Sequence, residues 1–250
     1  MLAGKGESTN YVYNGIKSEV NIDAVLITES VSSKKIIVNR IKRLGFLHVL
    51  NQLIFQLVLV RILNFFSKNL IEKRKNELGL ISYNISGSEL IEVGKVNSKK
   101  CIETIQLINP DIIIVNGTSI ISKKVLESTK AIFINTHVGI TPQYRGVHGG
   151  YWALRNRDDK NFGVTIHKVD TGIDTGDIIY QSTCSISPQD NFLIYPLYQY
   201  ALAIPLLINA IRDIKNNNLK PYTKDKGHSK LYYHPTFTSY INGWLKFGIK

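Results

Sequence analysis

The chain has 250 residues, 44% of them hydrophobic and 20% charged, a length and mixture that bury a full core and exclude a disordered or low-complexity polymer. A formal charge of +12 points to an anionic partner: phosphate, nucleotide, nucleic acid or an acidic membrane surface. The two cysteines, Cys101 and Cys184, lack the paired spacing of a zinc or redox centre, and nothing demands an oxidising compartment.

"LAGKGESTNYV" (residues 2–12) reads as a strand-to-helix turn whose N–H groups and helix N-terminus suit a phosphate, with Lys5 beside it, or equally as an ordinary first βα turn. Little precedes it, so either the first strand is short or the true start lies upstream, and no apolar leader core is visible. The expected location is the cytoplasm. Residues 21–30 read as a buried strand.

Residues 33–76 are helical in pattern and basic at both ends. His48, Asn51, Gln52, Gln56, Arg61 and Asn64 interrupt their apolar middle, which falls short of a continuous membrane span. Core or a homodimer interface is its expected use, with a peripheral contact on an anionic membrane as the sharper alternative.

"LGLISYNIS" (78–86) reads as the next strand, and Asn97-Ser98 as the cap of a helix that stops at Pro110. "DIIIVNG", "SKKVLEST" and "AIFINTH" then give strand, helix, strand. The rhythm predicts an α/β fold: a Rossmann-like, mostly parallel sheet with helices on both faces and the ligand outside the carboxyl ends of the strands. "YWALRNRD" reads as a helix, "GVTIHKV" and "DIIYQSTCSI" as strands, and residues 191–215 as a long apolar helix. The asparagines at 216–218 set a boundary, giving a catalytic domain at 1–215 and a short extension at 216–250. The extension's aromatic residues, Tyr232 and Trp244 among them, suit a packed hairpin, a dimer surface or stacking on a base or sugar.

Two stretches carry chemistry. Asn135 and His137 leave a strand with both side chains on one side, an amide that can donate to a developing oxyanion beside an imidazole that can exchange a proton. A turn-capping Asn beside a structural His would look the same. Downstream, Asp170, Gly172, Asp174 and Gly176 form D-x-G-x-D-x-G between two strands. One of its carboxylates can orient the imidazole, and its glycines let backbone approach a flat ligand. An ordinary Asp-Gly turn is the plain alternative. The few oxygens and the missing Glu argue against a calcium loop, and no metal site is expected.

Over residues 110–185 the stretches "INTHVGITPQYRG" and "GVTIHKVDTGIDTGDII" resemble the catalytic core of the formyltransferases that use 10-formyltetrahydrofolate. The resemblance implies that Asn135, His137 and Asp174 are catalytic, with Asn135 on the oxyanion, Asp174 orienting His137, and His137 taking the amine proton or polarising the formyl oxygen. It matches Pro142, Tyr144, Arg145 and Gly146 to the family's Pro-x-Tyr-Arg-Gly. It implies that Ser119, Ile120 and Ile121 line the folate, with the backbone around Asp170 and Gly172 opposite. Asn116, Gly117 and Thr118 depart from the Ala-Tyr-Gly of the tRNA-formylating branch.

For the acceptor, the residues from 216 onward are too few for that branch's barrel. A nucleotide-linked amino-deoxy sugar, destined for a surface polysaccharide such as O-antigen, is the expected partner, with Lys5, Arg145 and His148 as its contacts and no nucleic acid. Formylation of methionyl-tRNA or of glycinamide ribonucleotide is the alternative within the family. A non-catalytic folate- or nucleotide-binding module is the alternative outside it. His167 is expected to be structural, and His48, His228 and His234 carry no motif support.

Overall fold

The β-branched runs of the sequence become the centre of one mixed sheet. In the computed structural model, which describes residues 1–30, 33–87, 89–225 and 227–250, the first half runs β1 (Leu2–Gly4), α1 (Glu7–Ile16), β2 (Val25–Thr28), α2 (Ser33–Leu44), α3 (Phe46–Ile54), a π-helical turn (Phe55–Leu59), α4 (Val60–Glu77), β3 (Leu90–Gly94), α5 (Lys99–Ile108) and β4 (Ile112–Asn116). It continues with α6 (Lys123–Leu126), β5 (Ile132–His137), β6 (Tyr144–Gly146), α7 (Gly149–Arg155), β7 (Gly163–Lys168), β8 (Ile178–Thr183), α8 (Tyr195–Lys215), β9 (Lys230–Tyr232) and α9 (Phe237–Phe247).

The main sheet has the order β3-β2-β1-β4-β5-β7-β8. Strands β1 to β5 pair in parallel, whereas β7 is antiparallel to both β5 and β8. Alternation along each strand divides the core between the two faces. Ile113 and Val115 of β4 join Leu2, Leu26, Cys101, Ile105 and Phe133 under α5. Ile114 joins Val12, Ile16, Ile134, Ile166 and Leu207 under α1 and α8. Helix α5 has the expected ends: Ser98 Oγ accepts from the Cys101 N–H at 3.1 Å, and Asn109 closes the helix in the left-handed region at φ 47°.

The stretch 78–86 is not a strand. Leu80 is buried in a cluster with Tyr11, Ile194 and Leu197, and the Asn14 side chain donates to the carbonyls of Ile81 and Tyr83. An extended segment with apolar alternation has docked on a helix, and side-chain amides satisfy its backbone in place of a ladder. The sheet edge is instead β3, where Val93 is buried and Leu90 and Glu92 are exposed.

The last 35 residues fold back onto the loop after β5. Strand β9 pairs in parallel with β6, and Tyr232 stacks on Tyr144 and Trp152. Helix α9 lies along α3, where Asn51 bonds to the Thr238 hydroxyl and N–H. Inside that contact, Gln52 is buried and donates to the His234 carbonyl at 2.7 Å. The segment between β9 and α9 is thereby fixed beside the carboxyl ends of the strands.

Candidate active site

Strand β5 delivers Asn135 and His137 to one side of the sheet, and the antiparallel register sets His167 of β7 directly opposite Asn135. Asp174 enters from the β7–β8 loop in the left-handed region at φ 50°, a conformation that aspartate tolerates better than most residues. That loop closes over Gly176, where any Cβ would sit 1.8 Å from the Lys168 carbonyl oxygen. The four side chains form one cluster. His137 and His167 are 5% and 3% exposed.

Hydrogen bonding fixes both tautomers. His137 Nε2 lies 2.7 Å from the Tyr144 carbonyl, which only accepts, so Nε2 carries a proton and Nδ1 is left facing Asp174 Oδ2 at 3.4 Å. His167 Nδ1 donates to the Lys168 carbonyl at 2.7 Å, so its Nε2 accepts from the Asn135 amide at 3.1 Å. The second Asn135 N–H reaches Asp174 Oδ1 at only 3.5 Å. The resemblance assigns Asn135 to a developing oxyanion. One N–H is instead committed to His167, and the loosely held second one is the donor that can turn to a ligand oxygen.

Burial opposes the charge of Asp174. The neighbouring His137, the His167 contact and the Gly146 N–H, which donates to Oδ2 at 2.8 Å, outweigh it and hold the carboxyl well below the usual carboxylate range. A carboxylate facing the Nδ1 lone pair of a neutral imidazole leaves two acceptors opposed. A proton, on Nδ1 or on an incoming N–H donor, resolves that opposition.

The glycines behind β5 serve this geometry more than ligand approach. A Cβ on Gly139 would stand 2.6 Å from the Tyr144 carbonyl oxygen and 2.7 Å from His137 Nε2, and one on Gly149 would stand 2.6 Å from Gly139 Cα. The loop must fold tightly on itself to bring the Tyr144 carbonyl to the imidazole.

The cluster opens into a cavity of about 560 Å³. Ser119, Ile120, Ile121, Asp170, Gly172 and His148 all line it. The Asp170 carboxylate is spent inside its own loop, on the Gly172 N–H and the Thr175 hydroxyl. A second cavity of about 840 Å³ shares Gly117, Thr118, Ser119 and His234 with the first. Lys5, Glu29 and Glu92 line the second one. Arg145 is not brought to either. Its guanidinium donates to Ser229 Oγ and the Ile173 carbonyl, on the far side of Asp174 in a separate small pocket, so it braces the loop instead of facing the shared space.

Two residues escaped the sequence reading. His167 stands inside the cluster, a placement that only its register with Asn135 reveals. His234 comes from the extension and bonds through Nδ1 to His148 Nε2 at 2.9 Å. Burial, then the His234 charge, lowers His148 to about 3; burial, then Arg40, lowers His234 to about 4. Both are neutral at pH 7, and the pair shares a single proton between its facing nitrogens. Below about pH 6.5 the unfolded chain binds protons that these folded histidines refuse, so stability falls with acidification, by at most about 1.4 kcal/mol per pH unit for each. Urea unfolding at pH 7 and pH 5 should give a lower midpoint at pH 5. His148→Asn, which suits the left-handed backbone at φ 59°, should reduce that drop.

A formyl transferase family model matches residues 67–193, just over half of the chain and all of the cluster. The chain belongs to the formyl transferase family. Among relatives, the methionyl-tRNA formyltransferase of Agathobacter rectalis is 37% identical over 105 residues, which cover 42% of this chain and 34% of that one. The chain spans 30% to 48% of the length of the curated relatives it matches. Among solved structures, a sugar N-formyltransferase from Shewanella sp FDAARGOS_354 superposes with a TM-score of 0.57 at 14% identity, covering 92% of this chain and 74% of that one. An N-formyltransferase from Helicobacter canadensis, in complex with folinic acid and dTDP-3-aminofucose, gives 0.50 at 16% identity and covers 92% and 69%. Over nearly the whole chain the mixed sheet and its helices thus follow the fold of formyltransferases.

Proposed function

We propose that this member of the family moves a formyl group from 10-formyltetrahydrofolate to the amine of a nucleotide-linked amino-deoxy sugar in the cytoplasm. The observation that carries the reading is the position of Asn135, His137, His167 and Asp174 at the wall of one cavity that merges with a second. Two ligands can therefore meet at the cluster. The first cavity suits a flat donor: Ile120, Val169 and Ile173 offer apolar walls, and the loops carrying residues 117–121 and 170–174 enclose it from two sides. The folate supplies the activated formyl carbon. The chain's residues bind, orient and manage protons. Asn135 donates its loosely held N–H to the formyl oxygen. Asp174 accepts an N–H of the acceptor amine and so aims its lone pair at the formyl carbon. As that C–N bond forms, His137 Nδ1 takes the proton the amine loses and Asp174 balances the resulting imidazolium. His137 then gives the proton to the folate nitrogen released when its bond to the formyl carbon breaks.

The second cavity suits the nucleotide. Lys5 lines it just before α1, where the cap residue Gly6 brings no side-chain acceptor, and offers a cation for phosphate. Glu29 and Glu92 at the ends of β2 and β3 can accept from hydroxyls. The Helicobacter canadensis neighbour, which holds a folate and a nucleotide-linked amino sugar together, supports the same pairing here. Methionyl-tRNA is the second reading, favoured by the 37% identity to the Agathobacter rectalis enzyme and by the +12 charge.

The test supplies 10-formyltetrahydrofolate with 3-amino and 4-amino nucleotide sugars, methionyl-tRNA and glycinamide ribonucleotide, and reads formyl gain by mass. Turnover on one sugar and none on the other acceptors is the expected result. Turnover on tRNA alone overturns the sugar assignment. Tight folate binding without turnover on any acceptor leaves a binding module.

A further inference from the structure

The helical run Phe46–Glu77 has two apolar faces, and the fold uses one. Val49, Gln52, Phe55, Leu59 and Ser67 are buried against the protein. On the opposite side Leu47, Leu50, Ile54, Val58, Ile62 and Phe65 follow one another at steps of three or four residues, and every one is exposed. Leu47 and Phe65 are 78% exposed, and Phe66 beside them 80%. The stripe is about 27 Å long at the rise of an α-helix. Helix α9, packed along α3, adds exposed Trp244 and Leu245. A stripe of exposed large apolar side chains of this kind marks an interaction surface. Most of it, residues 46–66, precedes the stretch matched to the family, and none of these residues lines the two cavities of the candidate site.

Charge indicates the occupant. Residues 30–71 carry seven Lys or Arg and no Asp or Glu. Lys42 and Arg43 stand just before the stripe, Arg61 lies within it and Lys68 follows it, all four exposed. Arg61 turns its guanidinium back to the Leu57 carbonyl, with an alkyl stem that can lie along apolar surface while its head stays polar. A second copy of the chain would bring this uncompensated positive charge against its own like. A surface that is both apolar below and anionic above fits without that conflict. The run has the length and composition of a membrane-crossing helix, yet its buried face is committed to the fold, a geometry that suits lying on a bilayer and not crossing it.

We propose that the outward face of α3, the π-helical turn and the first half of α4 docks the protein on an anionic lipid surface, the aromatic and aliphatic stripe entering the acyl boundary and the flanking cations meeting the headgroups. The test is flotation of the full chain with vesicles of phosphatidylcholine alone and of phosphatidylcholine with phosphatidylglycerol, alongside its oligomeric state by light scattering. The chain should float with the anionic vesicles, less so at high salt, and F65E/F66E should lower the bound fraction by about tenfold or more. K42E/K68E, which keeps the stripe, should weaken binding to anionic vesicles alone. Formyl transfer by these variants to a soluble acceptor should be unchanged, because none of the four residues lines either cavity of the candidate site. Equal flotation of wild type and F65E/F66E, or none with either vesicle, overturns the proposal. A dimer that F65E/F66E splits, with no lipid binding, overturns it in favour of an interface between copies.

Discussion

Asp174→Asn should lower formyl transfer by about 10²–10⁴-fold while leaving the fold and donor binding close to wild type. The two side chains have nearly the same size, and the amide oxygen can still accept the Gly146 N–H that Oδ2 accepts at 2.8 Å. What disappears is the negative charge 3.4 Å from His137 Nδ1 and 3.6 Å from His167 Nε2. An uncharged amide can neither stabilise a proton on the first nor pull the acceptor amine into line. The loss should fall on kcat, measured with saturating donor and acceptor, with circular dichroism unchanged. A variant within tenfold of wild type would mean that the charge is not used in the reaction. A stability signature accompanies the kinetic one. Because the folded carboxyl is held below its ordinary range, it contributes stability that is complete above about pH 4 and is lost as the pH falls through that value and lower. The wild-type unfolding midpoint should therefore decline on the acid side more steeply than that of Asp174→Asn.

The parts of this site that the sequence reveals are those whose signals are local. Alternating β-branched residues specify β4, β5 and β7, a serine cap specifies α5, and two separated motifs bring Asn135, His137 and Asp174 together. The parts it conceals depend on pairings between distant segments. His167 resembles any histidine in a buried strand until β7 turns antiparallel and sets it across from Asn135. His234 reaches the cavity only because β9 pairs with β6 and Gln52 holds the His234 carbonyl. Arg145 lies in the motif yet points away, since the Ser229 hydroxyl and the Ile173 carbonyl outcompete open solvent for its guanidinium. Residues 78–86 have the composition of a strand, and side-chain amides on α1 take the bonds that a ladder would have made. The apolar middle of residues 33–76 was legible as apolar, and only the fold could divide it into a packed face and an outward one.

His137→Gln should be as damaging as the loss of Asp174, and it distinguishes the two nitrogens of the ring. Alanine at this position would leave the buried Tyr144 carbonyl without its donor and open a gap behind Gly139, so lost activity could reflect a collapsed loop. Glutamine can keep an N–H on that carbonyl but offers no group that gains and loses a proton towards Asp174. If His137 acts through Nδ1, His137→Gln should fall by about 10²–10⁴-fold in kcat and flatten the pH–rate profile, because the group that exchanges the proton is gone. If His137 serves only to brace the loop through Nε2, the glutamine variant should retain most of the rate and the full pH dependence. His167→Gln provides the comparison. Its ring accepts from Asn135 and is turned away from the Tyr144 carbonyl, so its loss should disturb the aim of the Asn135 amide, lowering the rate while preserving the shape of the pH profile. A flattened profile in His137→Gln beside a preserved one in His167→Gln would assign the mobile proton to the single nitrogen, Nδ1 of His137, that the Tyr144 carbonyl leaves available.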